Sequence, residues 1–434
     1  MSITIVGLGF AIMLALMFLS IPVAVAIVAV GALGGMAFYG FPLVDMMGGV
    51  VWTSLNSPAI LAIPLFMLLG ELLLRGGIAD KMFDAFAVWL DRLPGGLLHT
   101  NIATCALFSA TSGSSVATAA TVGTIALPAL AQRQYSMQAS LGSLAAGGTL
   151  GILIPPSINL LVYGSLANTS VGQLFAAGLI PGLLLASCFS AYIALFHGGS
   201  GLDPNRPRLP LRVKIGYLKH LFAPFLIFGV VMGSIYGGLA TPTESAALGV
   251  VMALAIVAAT GRLTPALLLN CSVQAARTTG MTVIVLSCAL LLNVTISMLG
   301  ATQVVTQWVA GFQLQQVSLL LVLIVFYVIL GMFMDAMSML VLTVPIAVPM
   351  VVTVGVDPVW FGIFIILMCE IALITPPVGM NLFVVHGLRR DGGSFRDVVA
   401  GALPYVFIMI GFVILTMFFP QIVMWLPDRL AGRG

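Results

Sequence analysis

Between Arg277 and Arg389 the chain contains no lysine or arginine, and most of that stretch is apolar. Water cannot solvate so long a segment, and a soluble fold could not cover it with the polar residues available. The rest of the chain is little different. Only 7% of its 434 residues are charged, against roughly 25% in a soluble domain. This excludes a cytosolic enzyme, a disordered chain and a disulfide scaffold. It leaves a polytopic membrane protein. The apolar runs are long and continuous rather than alternating, which favours helices over a barrel. At about 20 residues per span there is room for about 10 to 14 segments. A net charge of +3 supplies no nucleic-acid footprint. Cys105, Cys188, Cys271, Cys288 and Cys369 are scattered through apolar text and read as small buried hydrophobes. The first apolar run lacks a basic leader and a clear cleavage site, so it is expected to be a retained span.

Spans are predicted near 3–20, 22–39, 57–74, 139–165, 172–196, 218–237, 240–260, 275–299, 358–388 and 398–425. Two more apolar stretches, 97–131 and 314–353, carry polar residues at their centres and read as re-entrant hairpins. Segments 77–92 and 301–313 have the spacing of interfacial helices. With the N-terminus outside, 14 of the 16 basic residues fall on one face, and only Arg429 and Arg433 on the other. The positive-inside rule makes the first face cytoplasmic and both termini external, with 197–217 as a cytoplasmic linker.

The two sides of that linker match. Ile21-Pro22 corresponds to Thr241-Pro242 at an offset of 220. Ser114 corresponds to Asp335, Pro128 to Pro349, and Pro155-Pro156 to Pro376-Pro377 at 221. Asn159 corresponds to Asn381 at 222. Residues 1–196 and 218–425 therefore read as two repeats, with 426–434 as a tail. The charge map inverts one repeat relative to the other, a pattern of secondary transporters with broken helices. The expected fold class is an all-α polytopic membrane protein, an inverted-repeat transporter of about ten transmembrane helices and two re-entrant helical hairpins.

Each repeat supplies a polar hairpin tip and a double-proline break. Two adjacent prolines remove two backbone donors and disfavour helix at the residue before them, so carbonyls are freed inside the protein. Hydroxyl and carbonyl oxygens suit a hard cation such as sodium, and helix N-termini beyond a break suit an anion. One cation site is expected at Ser109 and Ser112 with carbonyls near Gly151, Ile154 and Pro156. A second is expected at Gly331, Met334, Asp335, Ala372, Thr375 and Val378. Gly113, Ser114, Ser115, Ser157, Asn159 and Asn381 are candidates for substrate contact. The competing reading of Ser/Gly tips is close helix packing, and that of the asparagines is bonding to neighbouring backbone.

Four acidic residues lie in or beside spans, where charge is costly. Asp335, at a tip, is the strongest functional candidate. Thr241 and Glu244 have capping-box spacing. Glu71 has Arg75 at i+4 and reads as a local ion pair. For Glu370 a proton, a cation and a helix partner stay open. His99, His197, His220 and His386 read as interfacial structural residues. An intramembrane enzyme would need a nucleophile–base or carboxylate pair. No lysine lies in a span and Asp335 has no aspartate partner at its depth, so the chain is not expected to be an enzyme.

The texts SATSGSSVATAATVGTIALPAL, GGTLGILIPPSINLLVYG, GLATPTESAALGV, LGMFMDAMS, TPPVGMNLF and IPLFMLLGELL resemble the large membrane subunit (DctM type) of tripartite ATP-independent periplasmic transporters, over about residues 3–425. The resemblance implies an elevator carrier in the bacterial inner membrane. It would use a sodium gradient to import an organic acid delivered by a periplasmic substrate-binding protein of DctP type. It implies no cofactor beyond sodium as coupling ion. It also implies a small DctQ-type membrane subunit, expected here as a separate polypeptide. Glu370 departs from the family pattern, which has an uncharged residue before the second TPP. The alternative is a stand-alone sodium-coupled anion carrier of the same architecture, needing no binding protein.

Overall fold

The structure, a computed structural model, describes residues 3–19, 21–40, 42–199 and 209–432. Arg433 and residues 200–208 of the expected linker, Arg206 and Arg208 among them, lie outside these residues. The apolar runs fold as α1 Ile3–Phe18, α2 Val23–Tyr39, α3 Pro42–Leu55 and α4 Pro58–Arg75, followed by the amphipathic α5 Ile78–Leu90. A helical hairpin comes next, α6 Leu97–Ser112 and α7 Ser115–Gln132. Then comes a broken helix: α8 Met137–Thr149, a 3-10 turn Leu150–Ile152, and α9 Ile158–Ala167. α10 Val171–Phe196 closes the first half. The second half runs α11 Leu211–Tyr236, α12 Pro242–Ala259, α13 Pro265–Met298 and the short α14 Ala301–Ala310. A second hairpin follows, α15 Gln316–Gly331 and α16 Ala336–Thr353, then the broken pair α17 Pro358–Leu373 and α18 Met380–Gly387. α19 Phe395–Phe418 and α20 Gln421–Leu430 end the chain.

Among the described residues seven helices are each long and apolar enough to cross a membrane, and α4 with α5, bent by 64°, would make an eighth. The chain is a polytopic all-helical membrane protein. The count differs from ten because α1 and α2 are 16 and 17 residues long and the broken helices are split into short arms. Conversely the return arms α7 and α16 are long enough to count.

Four boundaries depart from expectation, one of them that of α13, which begins at Pro265 rather than 275. α3 folds where no span was expected. α11 begins at Leu211 rather than 218, so Arg212, Lys214 and Lys219 lie on a helix. The last predicted span, 398–425, stops at Phe418. Pro420 has no N–H to continue it, and a separate amphipathic α20 runs through the expected tail. Two local expectations hold. Thr241 and Glu244 form a reciprocal capping box at the start of α12, and Arg75 pairs with Glu71 at 2.9 Å.

Packing separates two groups. A frame forms where α4 meets α12 and α13, α13 meets α2 and α3, α2 meets α1, and α11 meets α12. A block forms where α8 meets α6, α7 and α19, α10 meets α6 and α17, and α16 meets α9 and α17. Apolar burial drives little association inside lipid, so close approach of small residues matters more. Gly142 of α8 and Gly401 of α19 show this: a Cβ on Gly142 would stand 2.1 Å from the Gly401 carbonyl oxygen. In the frame, a Cβ on Gly31 would lie 3.3 Å from the Leu292 backbone, and the Thr295 hydroxyl donates to the Gly31 carbonyl at 3.1 Å.

Basic residues gather at one face. Arg133, at the end of α7, pairs with Asp91 after α5 at 2.5 Å. Trp89 of α5 donates to the Lys214 carbonyl of α11 at 3.2 Å, and Arg262 after α12 donates to the Gly76 carbonyl at 3.3 Å. The left-handed Gly77, φ +69°, turns α4 into α5, and a side chain there would collide with the Arg262 guanidinium. At the opposite face the start of α10, the end of α11 and α20 meet.

Candidate functional site

The first break follows from covalent chemistry. Pro155 and Pro156 carry no N–H, so the carbonyls of Gly151 and Ile152 lose their i+4 donors. The Ser157 hydroxyl takes up the Ile152 carbonyl at 2.6 Å and also accepts from the Leu160 N–H as N-cap of α9. The Gly151 carbonyl has no such replacement in the helical pattern. Hairpin 1 seats its tip here. A Cβ on Gly151 would be 2.7 Å from the backbone of Ser114 and Ser115, and one on Gly113 would be 2.9 Å from the Pro156 carbonyl oxygen. The Ser115 hydroxyl donates to the Thr149 carbonyl at 3.0 Å.

The second break repeats this chemistry with other side chains. Pro376 and Pro377 deprive the carbonyls of Ala372 and Leu373. Ala372 keeps a long bond of 3.4 Å from the Thr375 N–H, and the Thr375 hydroxyl donates to the Ile371 carbonyl at 2.6 Å. The tip of hairpin 2 reaches it through the Val378 N–H, which donates to the Met332 carbonyl at 3.3 Å. A Cβ on Gly331 would meet the Ala372 side chain at 2.5 Å. Both double-proline bonds are cis.

Each expected residue can now be placed. Gly113, Ser114, Ser115, Gly151 and Pro156 come together, as do Gly331, Ala372 and Val378 with the Met332 carbonyl. Ser109 and Ser112 are buried on the last turn of α6. The Ser109 hydroxyl donates to the Cys105 carbonyl, and Ser112 shares a bond of 2.9 Å with Thr118. Their oxygens keep lone pairs free to accept. Asp335 is the N-cap of α16, accepting from the N–H groups of Met337 and Ser338 at 3.0 and 3.2 Å and from the Ser338 hydroxyl. Ser114 and Ser157 likewise cap α7 and α9. Asn159 is buried on the first turn of α9, and Ile154 and Met334 are buried beside their break and tip. The set of neutral hydroxyls and freed carbonyls, with one carboxylate, fits a hard monovalent cation by donor type.

The distal arms dock crosswise. α9, beyond the first break, lies against α16 of hairpin 2, and α18, beyond the second, lies against α7 of hairpin 1. Asn381 donates across to the Ala145 carbonyl at 3.4 Å, and the Tyr163 hydroxyl donates to the Pro358 carbonyl at 2.6 Å. Four helix N-termini thus begin inside the block, those of α7, α9, α16 and α18, an arrangement that favours negative charge. Glu370 is fully buried on α17, and neither carboxyl oxygen has a hydrogen-bond partner among the described residues.

Both tips meet the frame. A Cβ on Gly70, five residues before the end of α4, would stand 3.1 Å from the Ser112 backbone. At hairpin 2, Phe333 lies edge-on to Phe18, the last residue of α1, with ring centroids 5.0 Å apart. Gly70, Thr118, Thr149, Ser338 and the Met332 carbonyl were not predicted from sequence. Ser338, three residues after Asp335, carries a capping signal, Thr118 bonds Ser112 six residues away across the tip, and the others are long-range contacts.

Comparison with known proteins agrees over nearly the whole chain. Residues 10–422 match the family described as the DctM component of the tripartite ATP-independent periplasmic transporter. The chain is 34% identical over 376 residues to the C4-dicarboxylate TRAP transporter large permease protein DctM of Pseudomonas aeruginosa, covering 86% of each. It is 32% identical to the isethionate TRAP transporter permease protein DctMQ of Oleidesulfovibrio alaskensis, covering 93% of this chain but only 64% of that longer protein. In fold it resembles the crystal structure of the Alcanivorax borkumensis YdaH transporter, with a TM-score of 0.62 and 14% identity, covering 88% of this chain and 90% of that one.

Proposed function

The chain belongs to the DctM component family of tripartite ATP-independent periplasmic transporters, and from this premise we propose that it is the large permease of a sodium-coupled importer of a small organic acid. The observation that carries the reading is the paired seating of each hairpin tip on a double-proline break. Two such seats supply hydroxyl and carbonyl oxygens for cations and helix N-termini for an anionic group. Sodium is cargo here, bound at Ser109, Ser112, Gly151, Ile154 and Pro156 and at Gly331, Met334, Asp335, Ala372, Thr375 and Val378. The substrate meets Gly113, Ser114, Ser115, Ser157, Asn159 and Asn381. The names of relatives include a C4-dicarboxylate and isethionate, a sulfonate, so the shared chemistry is a small organic anion.

Movement is of the elevator kind, with the frame as scaffold and the block as carrier. The basic face is cytoplasmic by the positive-inside rule. Both tips then touch the scaffold toward the cytoplasmic ends of its helices, Ser112 at Gly70 and Phe333 at Phe18. This conformation is the inward-displaced one. A DctQ-type subunit joins the scaffold in the inner membrane, and a DctP-type protein delivers the acid from the periplasm. The test is reconstitution of all three components in liposomes. Uptake of a labelled dicarboxylate or sulfonate should require an inward sodium gradient and the loaded binding protein. Uptake by this chain alone would overturn the tripartite reading in favour of a stand-alone carrier.

A further inference from the structure

One cavity lies apart from both breaks. It holds about 350 Å3 between the ends of α9, α13 and α14 and the return arm α16, at the face away from the basic residues. Its polar lining is Asn168, Asn293, Ser297, Thr302 and Gln303. No hydrogen bond to another described residue engages any of these five side chains. Resting on the transport reading above, we propose that this cavity is a first station for the substrate. It holds the carboxylate or sulfonate of a small organic anion before the carrier's breaks receive it.

The donor set, with no carboxylate beside it, favours an anion over a cation, and the volume and the departure from the repeat favour a built site. Three primary amides and two hydroxyls present N–H and O–H donors, and no carboxylate lines the cavity. The chain between Arg277 and Arg389 offers no basic side chain, so amides are the donors this face presents to an anion. The volume falls in the range of about 300–1,000 Å3 that small-molecule sites occupy. Finally, the polar lining is not the default packing of the repeat. At offsets of 220 and 221, Asn293 and Gln303 correspond to Leu73 and Met82, which are buried in the core. The cavity also straddles scaffold (α13) and carrier (α9, α16), where a bound substrate is handed from a fixed wall to a moving one.

The experiment labels Ser297→Cys with a membrane-impermeant maleimide from outside, against the parent chain, whose five cysteines set the background. Succinate and isethionate are the probes and chloride the control. A probe at about ten times its Kd should slow labelling about tenfold by mass action, while chloride leaves it unchanged. Protection should survive Ser112→Ala and Asn381→Ala, placed at the carrier's own sites. It should vanish when Asn293→Leu and Gln303→Met are added. The station is overturned if neither probe protects, or if protection disappears with the carrier variants but survives the cavity pair. Wild-type uptake is measured alongside. Failure there strikes the transport reading, whereas normal uptake without protection strikes only the station.

Discussion

Gly151→Ala tests the first seat most directly. The added methyl would lie 2.7 Å from the Ser114 carbonyl carbon and from the Ser115 nitrogen and Cα. All three atoms are backbone, so no side chain can swing aside. Ordinary contact begins at 3.4 Å, so tip and break must separate by about 0.7 Å or more. The tip has little room to yield, because Gly113 already sits against the Pro156 carbonyl and Ser112 against Gly70. Overpacking of this kind costs about 1–3 kcal/mol. If the seat forms only with the cation bound, that cost appears as roughly a 5- to 150-fold rise in the sodium concentration for half-maximal uptake. The assay is a sodium titration of uptake in proteoliposomes, with thermal stability followed in parallel. Gly34→Ala is the control, since nothing lies within 4 Å of its Cβ position. An unchanged sodium midpoint in Gly151→Ala would refute the assignment of this seat to the cation.

Asp335→Ala removes the N-cap of α16 and should cost about 0.5–2 kcal/mol of stability. Asp335→Asn retains a capping oxygen and loses the charge, so it should keep expression and thermal stability while weakening sodium dependence. Equal sodium midpoints in Asp335→Asn and wild type would remove this carboxylate from the ligand set. Gly199→Cys, open on all sides, should react with impermeant reagents only from the cytoplasm; labelling of intact cells from outside would reverse the topology. At the end of α18, the Arg389 guanidinium bonds Asp391 through two contacts at 2.8 Å and holds its carboxyl down at about 2, against an ordinary 3.8. A depressed carboxylate stabilises above its unfolded value and loses that contribution as pH falls through its folded one. Pepsin cleavage near residues 388–394 should therefore rise between about pH 4 and pH 2, and Asp391→Asn should abolish that pH dependence.

Much of this arrangement was readable from residue order because its causes are local. Adjacent prolines must break a helix, and SGSS between apolar runs must cap a turn. Thr241 and Glu244 satisfy each other three residues apart. What sequence could not supply were contacts made across the chain. Asn381 reads as a residue just past a break, and its amide nitrogen also reaches Ala145 on the other half while its Oδ1 has no partner among the described residues. Gly48-Gly49 and Asp45 dilute the apolar text of α3, so residue order does not mark it as a span. The apolar run is continuous through α19 and α20 apart from Pro420, so residue order reads the two as one span.

The glycine contact between α8 and α19, with the Asn381 and Tyr163 bonds, joins the two halves of the block at backbone distance. One break cannot then sit at a different depth from the other. In the carrier proposed above, whatever fills them would cross in one stroke, and their charges would add. Two monovalent cations moving with a dicarboxylate make that stroke electrically silent. With a monoanion the stroke carries one net positive charge inward, and the membrane voltage contributes about 2.3 kcal/mol per 100 mV. The same rigid block would thus run on the chemical gradient alone for one class of acid, and on gradient plus voltage for another.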